Sequence, residues 1–355
     1  MHKILVINPG STSTKFAVYH DEKNVFEKTL RHSNEELKPF PTVASQYDFR
    51  KDTILKALKE AGIPCEFDIV VGRGGILHPL KSGAYEVNEL MKRELLEAKW
   101  GEHACNLGAL IGDTIAKMCH CRAIVADPVV VDEMTPVAHL SGNPLFPRRS
   151  IFHALNQKAI AKKYAKEMGT NYDKLNVIVA HVGGGVSVGA HCHGLVVDAN
   201  NALGYGPFSP ERSGTISSVE LAKACYSGKY TEHEMQRMLN GKGGMVAHLN
   251  SNSALEVEER IKNGDKQAEL VYQAMAYNIA KEIGAMSTVL HGKVDAILLT
   301  GGIAYSKIFC QYIIDMVSFL APVKVYGGED ELGALVGHGI NVLNGGECHT
   351  YEAMK

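Results

Sequence analysis

The chain has 355 residues, 35 of them glycine, with 45% apolar and 21% charged residues, which excludes a disordered chain, and its glycines follow no three-residue period, which excludes collagen. Its 37 basic and 39 acidic residues leave a formal net charge of -2, too balanced for a broad footprint on nucleic acid or an anionic membrane. Any anion must therefore be held by a local site, and the length predicts two domains.

The apolar run Ile4 to Ile7 is too short for a signal-peptide core, and no stretch of 18 apolar residues predicts a membrane span. The expectation is a cytoplasmic protein whose eight scattered cysteines are reduced thiols. Cys119-His120-Cys121 and His191-Cys192-His193 have poor zinc spacing, since no second pair accompanies either. Ile4 to Val18 reads as a strand, a turn of small residues and an antiparallel strand, and Val177 to Ala190 repeats that pattern. Asn8 falls at the place of His181 and Gly10 at that of Gly183, half a chain apart, which predicts a duplicated domain.

Between and after these hairpins, strands alternate with helices. Asp68–Gly72 and Ala123–Ala126 read as strands and Lys92 to Met118 as mostly helical. Ser150 to Met168 reads as a helix capped by Ser150 and ended by Gly169. Lys266 to Leu290 reads as a long helix, Ala296–Thr300 and Val323–Tyr326 as strands each ending in Gly-Gly, and Asp330 to Leu343 as a last helix. This alternation predicts α/β architecture. The expected domains are 1–149, joined by the C-terminal helix 331–355, and 150–330.

Gly10-Ser11-Thr12-Ser13 and Gly183-Gly184-Gly185 can expose backbone N–H groups to phosphate oxygens. Neither fits a P-loop or a Rossmann fingerprint, and each alone also reads as a plain hairpin turn. Thr300-Gly301-Gly302-Ile303 ends a strand in glycines, which admits a flat nucleoside. Arg73 in Gly72-Arg73-Gly74-Gly75 and Arg212 in Pro210-Glu211-Arg212-Ser213-Gly214 sit among small residues, where a guanidinium fork suits carboxylate or phosphoryl oxygens. His153 reads as lying in the first turn of the Ser150 helix, Asp127 follows a strand, and Glu329-Asp330-Glu331 opens a helix as caps or as magnesium ligands through water.

Taken together, the blocks Asn8 to Lys15, Arg73-Gly74-Gly75, Asn143 to Asn156, His181 to Gly185 and Gly206 to Gly214 resemble the acetate, propionate and butyrate kinase (acetokinase) family over essentially the whole chain. The resemblance implies the duplicated two-domain superfold of sugar kinases, actin and chaperone ATPases, with ATP between the domains. It implies phosphorylation of a short-chain carboxylate by ATP with Mg²⁺, giving an acyl phosphate and ADP, in a homo-oligomer. Asn8 then sits by the transferred phosphate, Arg73 and Arg212 hold carboxylate and phosphoryl group, and His153 donates a hydrogen bond to that group. Asp127 positions the reacting groups or the metal, and His103 supports them. Gly10, Ser11, Thr12, Ser13, Lys15, His181, Gly183, Gly184, Gly185, Gly301, Gly302 and Ile303 line the ATP. The metal-binding acid lies in Glu329-Asp330-Glu331; direct alignment favours Asp330, and a one-residue shift selects a neighbour.

Gly75 stands where acetate kinases resemble one another in carrying valine, so the missing carbons are expected to open room for a longer acyl chain, with Phe152 as an apolar wall. The expected acid is butyrate, with isobutyrate, valerate or propionate as alternatives. A hydroxyl kinase of the same superfold, with Asp127 as base, and an ATPase without an acceptor are the other classes.

Overall fold

The computed structural model describes residues 1–354. The chain divides into two compact units: the first is Met1–Asp132 with the chain from Asp330 onward, and the second is Glu133–Glu329. The segment 133–149, expected in the first domain, belongs to the second. Thr135 N donates to Val197 O (3.1 Å) and Arg148 pairs with Asp198 (2.7 Å), so Arg148, next to the expected boundary, is an internal tie of the second unit.

The strands are β1 (Lys3–Gly10), β2 (Ser13–His20), β3 (Lys23–Arg31), β4 (Ile69–Arg73), β5 (Ala84–Glu86), β6 (Arg122–Ala126), β7 (Asn176–Val182), β8 (Val186–Cys192), β9 (Leu195–Ala199), β10 (Ala296–Gly301), β11 (Val323–Gly327) and β12 (His349–Thr350). The first unit holds a seven-stranded sheet ordered β12-β5-β6-β4-β1-β2-β3, and the second a five-stranded sheet ordered β11-β10-β7-β8-β9. In each, an antiparallel three-strand meander is followed outward by parallel strands: β1 pairs with β4 and β4 with β6, as β7 pairs with β10 and β10 with β11. The duplication anticipated from the hairpins thus extends to five strands of each sheet, β6-β4-β1-β2-β3 matching β11-β10-β7-β8-β9.

The principal helices are α1 (Tyr47–Glu60), α2 (Glu89–Leu96), α3 (Asn106–Met118), α4 (Ala154–Glu167), α5 (Lys266–Val289), α6 (Lys307–Val317) and α7 (Glu331–Leu343). The apolar β1, with Ile4, Leu5, Val6 and Ile7 all at 0% exposure, is covered on both faces inside a mixed sheet, paired antiparallel with β2 and parallel with β4. α7 packs against β1 and β4 in the first unit, and α4 against β7 and β10 in the second. The long α5 carries Val271, Met275, Ile279, Ile283 and Met286 into the second core, and Asp265 caps its start.

Two helices differ from expectation. The stretch 92–118 is broken between α2 and α3, because Lys99 and Trp100 turn back to donate to the buried Glu94 (2.6 and 2.7 Å), with Ala98 in the left-handed region. α4 begins at Ala154, not Ser150, so His153 is the residue just before the helix; its side chain makes no cap bond. Among the described residues no helix is long and apolar enough to cross a membrane.

Candidate active site

In the first unit the candidate residues gather at the ends of β1, β4 and β6. Arg73 ends β4, and its Nη1 donates to Asn8 Oδ1 (3.2 Å) and pairs with Glu331 Oε2 (3.1 Å). Asn8 Nδ2 donates to the same Glu331 oxygen (2.6 Å), closing a triangle around a carboxylate that is 6% exposed. Asp330, favoured by alignment, instead caps α7 by accepting from Gly333 N (2.9 Å), while Glu329 lies in the second unit, 3.2 Å from His181. The three adjacent acids therefore have three different jobs. Among the described residues no group of three His, Cys, Asp or Glu side chains converges to hold a metal.

Asp127 is buried at the end of β6 with a positive φ of 37°. Its Oδ1 accepts from Ser82 Oγ (2.6 Å) and Gly83 N (2.8 Å), and its Oδ2 contacts His338 Nε2 (2.9 Å). Ser82 and His338 were not anticipated. His338 lies 211 residues from Asp127 in sequence, and only the packing of α7 reveals the pair. His103 Nδ1 is turned to Cys105, 3.0 Å from its sulfur and 3.2 Å from its backbone N.

The turn Gly10–Ser13 rests on a residue that sequence reading passed over. Arg50 is 0% exposed. Its guanidinium donates to the carbonyls of Gly10 (2.8 Å), Ser11 (2.9 Å) and Ser13 (2.8 Å) and to Thr14 Oγ1 (3.1 Å). Because a trans peptide points C=O and N–H in opposite directions, carbonyls drawn inward turn their following N–H groups away from Arg50. Ser11 and Thr12 are exposed, so the turn is braced from behind with its outer face open. Burial pulls the Arg50 pKa down to about 10, leaving it charged at neutral pH. The available signal was periodicity: Arg50 shares the buried stripe of Ile54, Ala57 and Leu58. Lys15, expected on ATP, lies on β2 and pairs with Glu27 (2.8 Å).

Gly75 does not open acyl room. A Cβ there would lie 2.6 Å from Asn106 Cα and 2.6 Å from Leu95 Cδ2. Its missing side chain lets the backbone pass α3 and α2, and the space beyond it is filled. Phe152, the other expected wall, is 2% exposed and presents no open surface.

In the second unit the rings of His153 and His181 stack at 3.7 Å with an 8° interplanar angle. His181 Nδ1 donates to Asn156 Oδ1 (2.8 Å), and its Nε2 faces Glu329 Oε1 (3.2 Å), an ion pair when His181 is protonated. A Cβ at Gly183 would meet both, at 3.2 and 3.3 Å, and one at Gly185 would collide with the Arg212 guanidinium. Glycine at 185 therefore lets Arg212 lie directly against the second glycine turn. Arg212 Nη1 donates to Ala202 O (2.9 Å), and burial holds its pKa below the usual arginine value. Ser209 Oγ donates to Gly184 O (2.8 Å) and accepts from Arg212 N (3.2 Å), tying the two loops together.

Gly301 has φ 94°, and its α-carbon lies so close to the Val182 backbone that a Cβ would clash. Gly302 opens on free space, consistent with a flat ligand's approach. Ile303 is 8% exposed and its side chain packs into the second core.

Two sheets that share a five-stranded topology thus each present a glycine-bearing turn with an arginine beside it. The model of the Acetokinase family matches residues 141–327. Butyrate kinase 2 and butyrate kinase 1 of Clostridium acetobutylicum are each 53% identical, covering 97% and 98% of this chain and 98% of theirs. Acetate kinase of Porphyromonas gingivalis superposes with a TM-score of 0.78 at 20% identity, over 97% of this chain and 100% of that one. A propionate kinase of Francisella tularensis gives 0.74 at 19% identity, over 95% and 99%. The chain belongs to the acetokinase family.

Proposed function

We propose that this chain transfers the γ-phosphoryl group of ATP directly to a short-chain carboxylate, with butyrate as the preferred acid, yielding butyryl phosphate and ADP. The carrying observation is the full-length 53% identity to two butyrate kinases, joined to an active-site chemistry of arginines and backbone turns. A carboxylic acid with pKa near about 4–5 is ionised at pH 7, so its attack needs no general base. What it needs is relief of repulsion between two anions, and Arg73, Arg212 and the N–H groups of the two turns are suited to supply it. Asn8 and His153 donate to the moving phosphoryl group. Mg²⁺ enters as the MgATP substrate, held by phosphate oxygens, and neutralises their charge.

The hydroxyl-kinase reading is disfavoured by one observation. Asp127, its required base, already accepts from Ser82 and Gly83 and contacts His338, which suits a fixed positioning carboxylate. The deciding experiment mixes the protein with ATP, Mg²⁺, hydroxylamine and a panel of C2 to C6 acids, plus glycerol. Hydroxamate formation strongest with C4 acids is expected. No hydroxamate with any acid removes this reading.

A further inference from the structure

His153 is held from behind by a buried hydrogen-bond chain whose polarity can be worked out from one carbonyl. Gln157 Nε2 lies 3.0 Å from Ser187 O and 2.9 Å from Ser187 Oγ. A carbonyl oxygen only accepts, so the Gln157 atom beside it is the amide nitrogen, which fixes the orientation of that side chain. Its other end, Oε1, is an acceptor and lies 3.0 Å from His191 Nε2, which must carry a proton. His191 is 0% exposed, and burial drives its pKa down to about 3, so it is neutral. Its Nδ1 is then a bare lone pair and accepts from the Tyr172 hydroxyl (2.7 Å). Gly189 makes the chain possible: a Cβ there would lie 2.5 Å from Gln157 Oε1.

The same accounting runs forward to His153. Ser187 Oγ accepts from Gln157 Nε2 and from the His153 backbone N–H (3.2 Å), which uses both lone pairs. Its single proton is left for His153 Nδ1, 2.8 Å away. Nδ1 must therefore be unprotonated, and the ring proton sits on Nε2. His153 is also stacked on the His181 ring at 3.7 Å, where two imidazolium rings would repel.

We propose that Tyr172, His191, Gln157 and Ser187 form a positioning relay that locks His153 as the neutral Nε2–H tautomer, a hydrogen-bond donor that neither gives up nor takes a proton in turnover. The four are positioning residues, acting on the substrate only through His153. The proposal rests on the reading of His153 as donor to the transferring phosphoryl group. A tautomer locked before substrate arrives spares the reaction the reorganisation that a freely exchanging imidazole would require.

Long-range ¹H–¹⁵N correlation of ¹⁵N-histidine-labelled full-length protein reads the tautomer without any variant. The relay predicts an unprotonated Nδ1 and a protonated Nε2 for His153, and a protonated Nε2 for His191. A protonated Nδ1 on His153 overturns it. Ser187→Ala removes the donor, so His153 should show mixed tautomers and kcat should fall about 10–100-fold, as for other supporting hydrogen bonds. KM for ATP and for the acid should hold within about twofold, because the donor acts on the transition state. Gln157→Leu should mix the tautomers in the same direction. An unchanged His153 tautomer in both variants overturns the relay. If the tautomer is as expected while His153→Ala keeps its kcat, the relay stands and the phosphoryl-donor reading of His153 fails.

Discussion

The two glycine-bearing turns hold matching places in their sheets, between the first two strands of each meander, but differ in length by one residue and are opposites in support. Gly10–Ser13 closes β1 and β2, and Gly183–Gly185 lies between β7 and β8, each two residues beyond a polar side chain, Asn8 or His181. Beneath the first turn lies a fixed cation, Arg50, whose hydrogen bonds go to carbonyls, a hydroxyl and the Gln46 side-chain carbonyl. Behind the second lie an amide, a hydroxyl and imidazoles, with Arg212 pressed against the turn itself. Duplication therefore sets where the turns are, and the unduplicated side chains set what they do. The first turn carries its charge below the backbone, on Arg50. The second packs a partly buried guanidinium against the backbone and is backed by an amide, a hydroxyl and imidazoles.

The comparison breaks most sharply at Arg212. Arg212→Ala should lose two or more decades of kcat, equivalent to about 2.7 kcal/mol or more for a preorganised donor, with little change in melting temperature. Near-wild-type kcat in steady-state assays would refute its place at the reacting centre. Arg50 should behave in the opposite way. Arg50→Met strands the carbonyls of Gly10, Ser11 and Ser13, so the first expected effect is on stability, about 1–3 kcal/mol for buried acceptors left unpaired. A raised KM for ATP should accompany it, and Arg50→Lys should recover part of both by keeping the charge without the fork. Denaturant melts and ATP titrations check this; an unaltered KM in a folded Arg50→Met protein would separate the turn from nucleotide binding.

Gly75 gives the smallest effect and sharpens the specificity question. Gly75→Ala drives a methyl group onto Asn106 and Leu95 and should cost about 1–3 kcal/mol by overpacking. The ratio of butyrate to acetate kcat/KM should stay constant while the melting temperature drops. A selective loss of butyrate activity would restore the reading of Gly75 as acyl clearance.

What the sequence disclosed follows the range of the interactions. The two hairpins, the strands at Asp68, Ala123, Ala296 and Val323 and the long α5 are local patterns, and all are present within a residue or two of their expected bounds. The arginines between small residues were visible because such neighbours leave a guanidinium no packing role. The triangle of Asn8, Arg73 and Glu331 was not, since Asn8 and Glu331 are 323 residues apart and an acid in a helix's first turn reads as ordinary capping. Arg50 and Gln157 could have been caught by treating a polar residue on a buried helical stripe as a question. Arg50 lies on the stripe of Ile54 and Leu58, and Gln157 is buried with Ala154 and Ala161. Gly75 misled because a missing side chain says that something approaches closely, without saying whether that is a ligand or a neighbouring helix.

The most direct test of carboxylate phosphorylation is a ³¹P NMR time course with butyrate, ATP and Mg²⁺. Transfer to the carboxylate predicts one acyl phosphate resonance growing in equal amount with ADP, absent when butyrate is withheld. ADP accompanied only by inorganic phosphate from the first time point, at the same rate with and without butyrate, would contradict it.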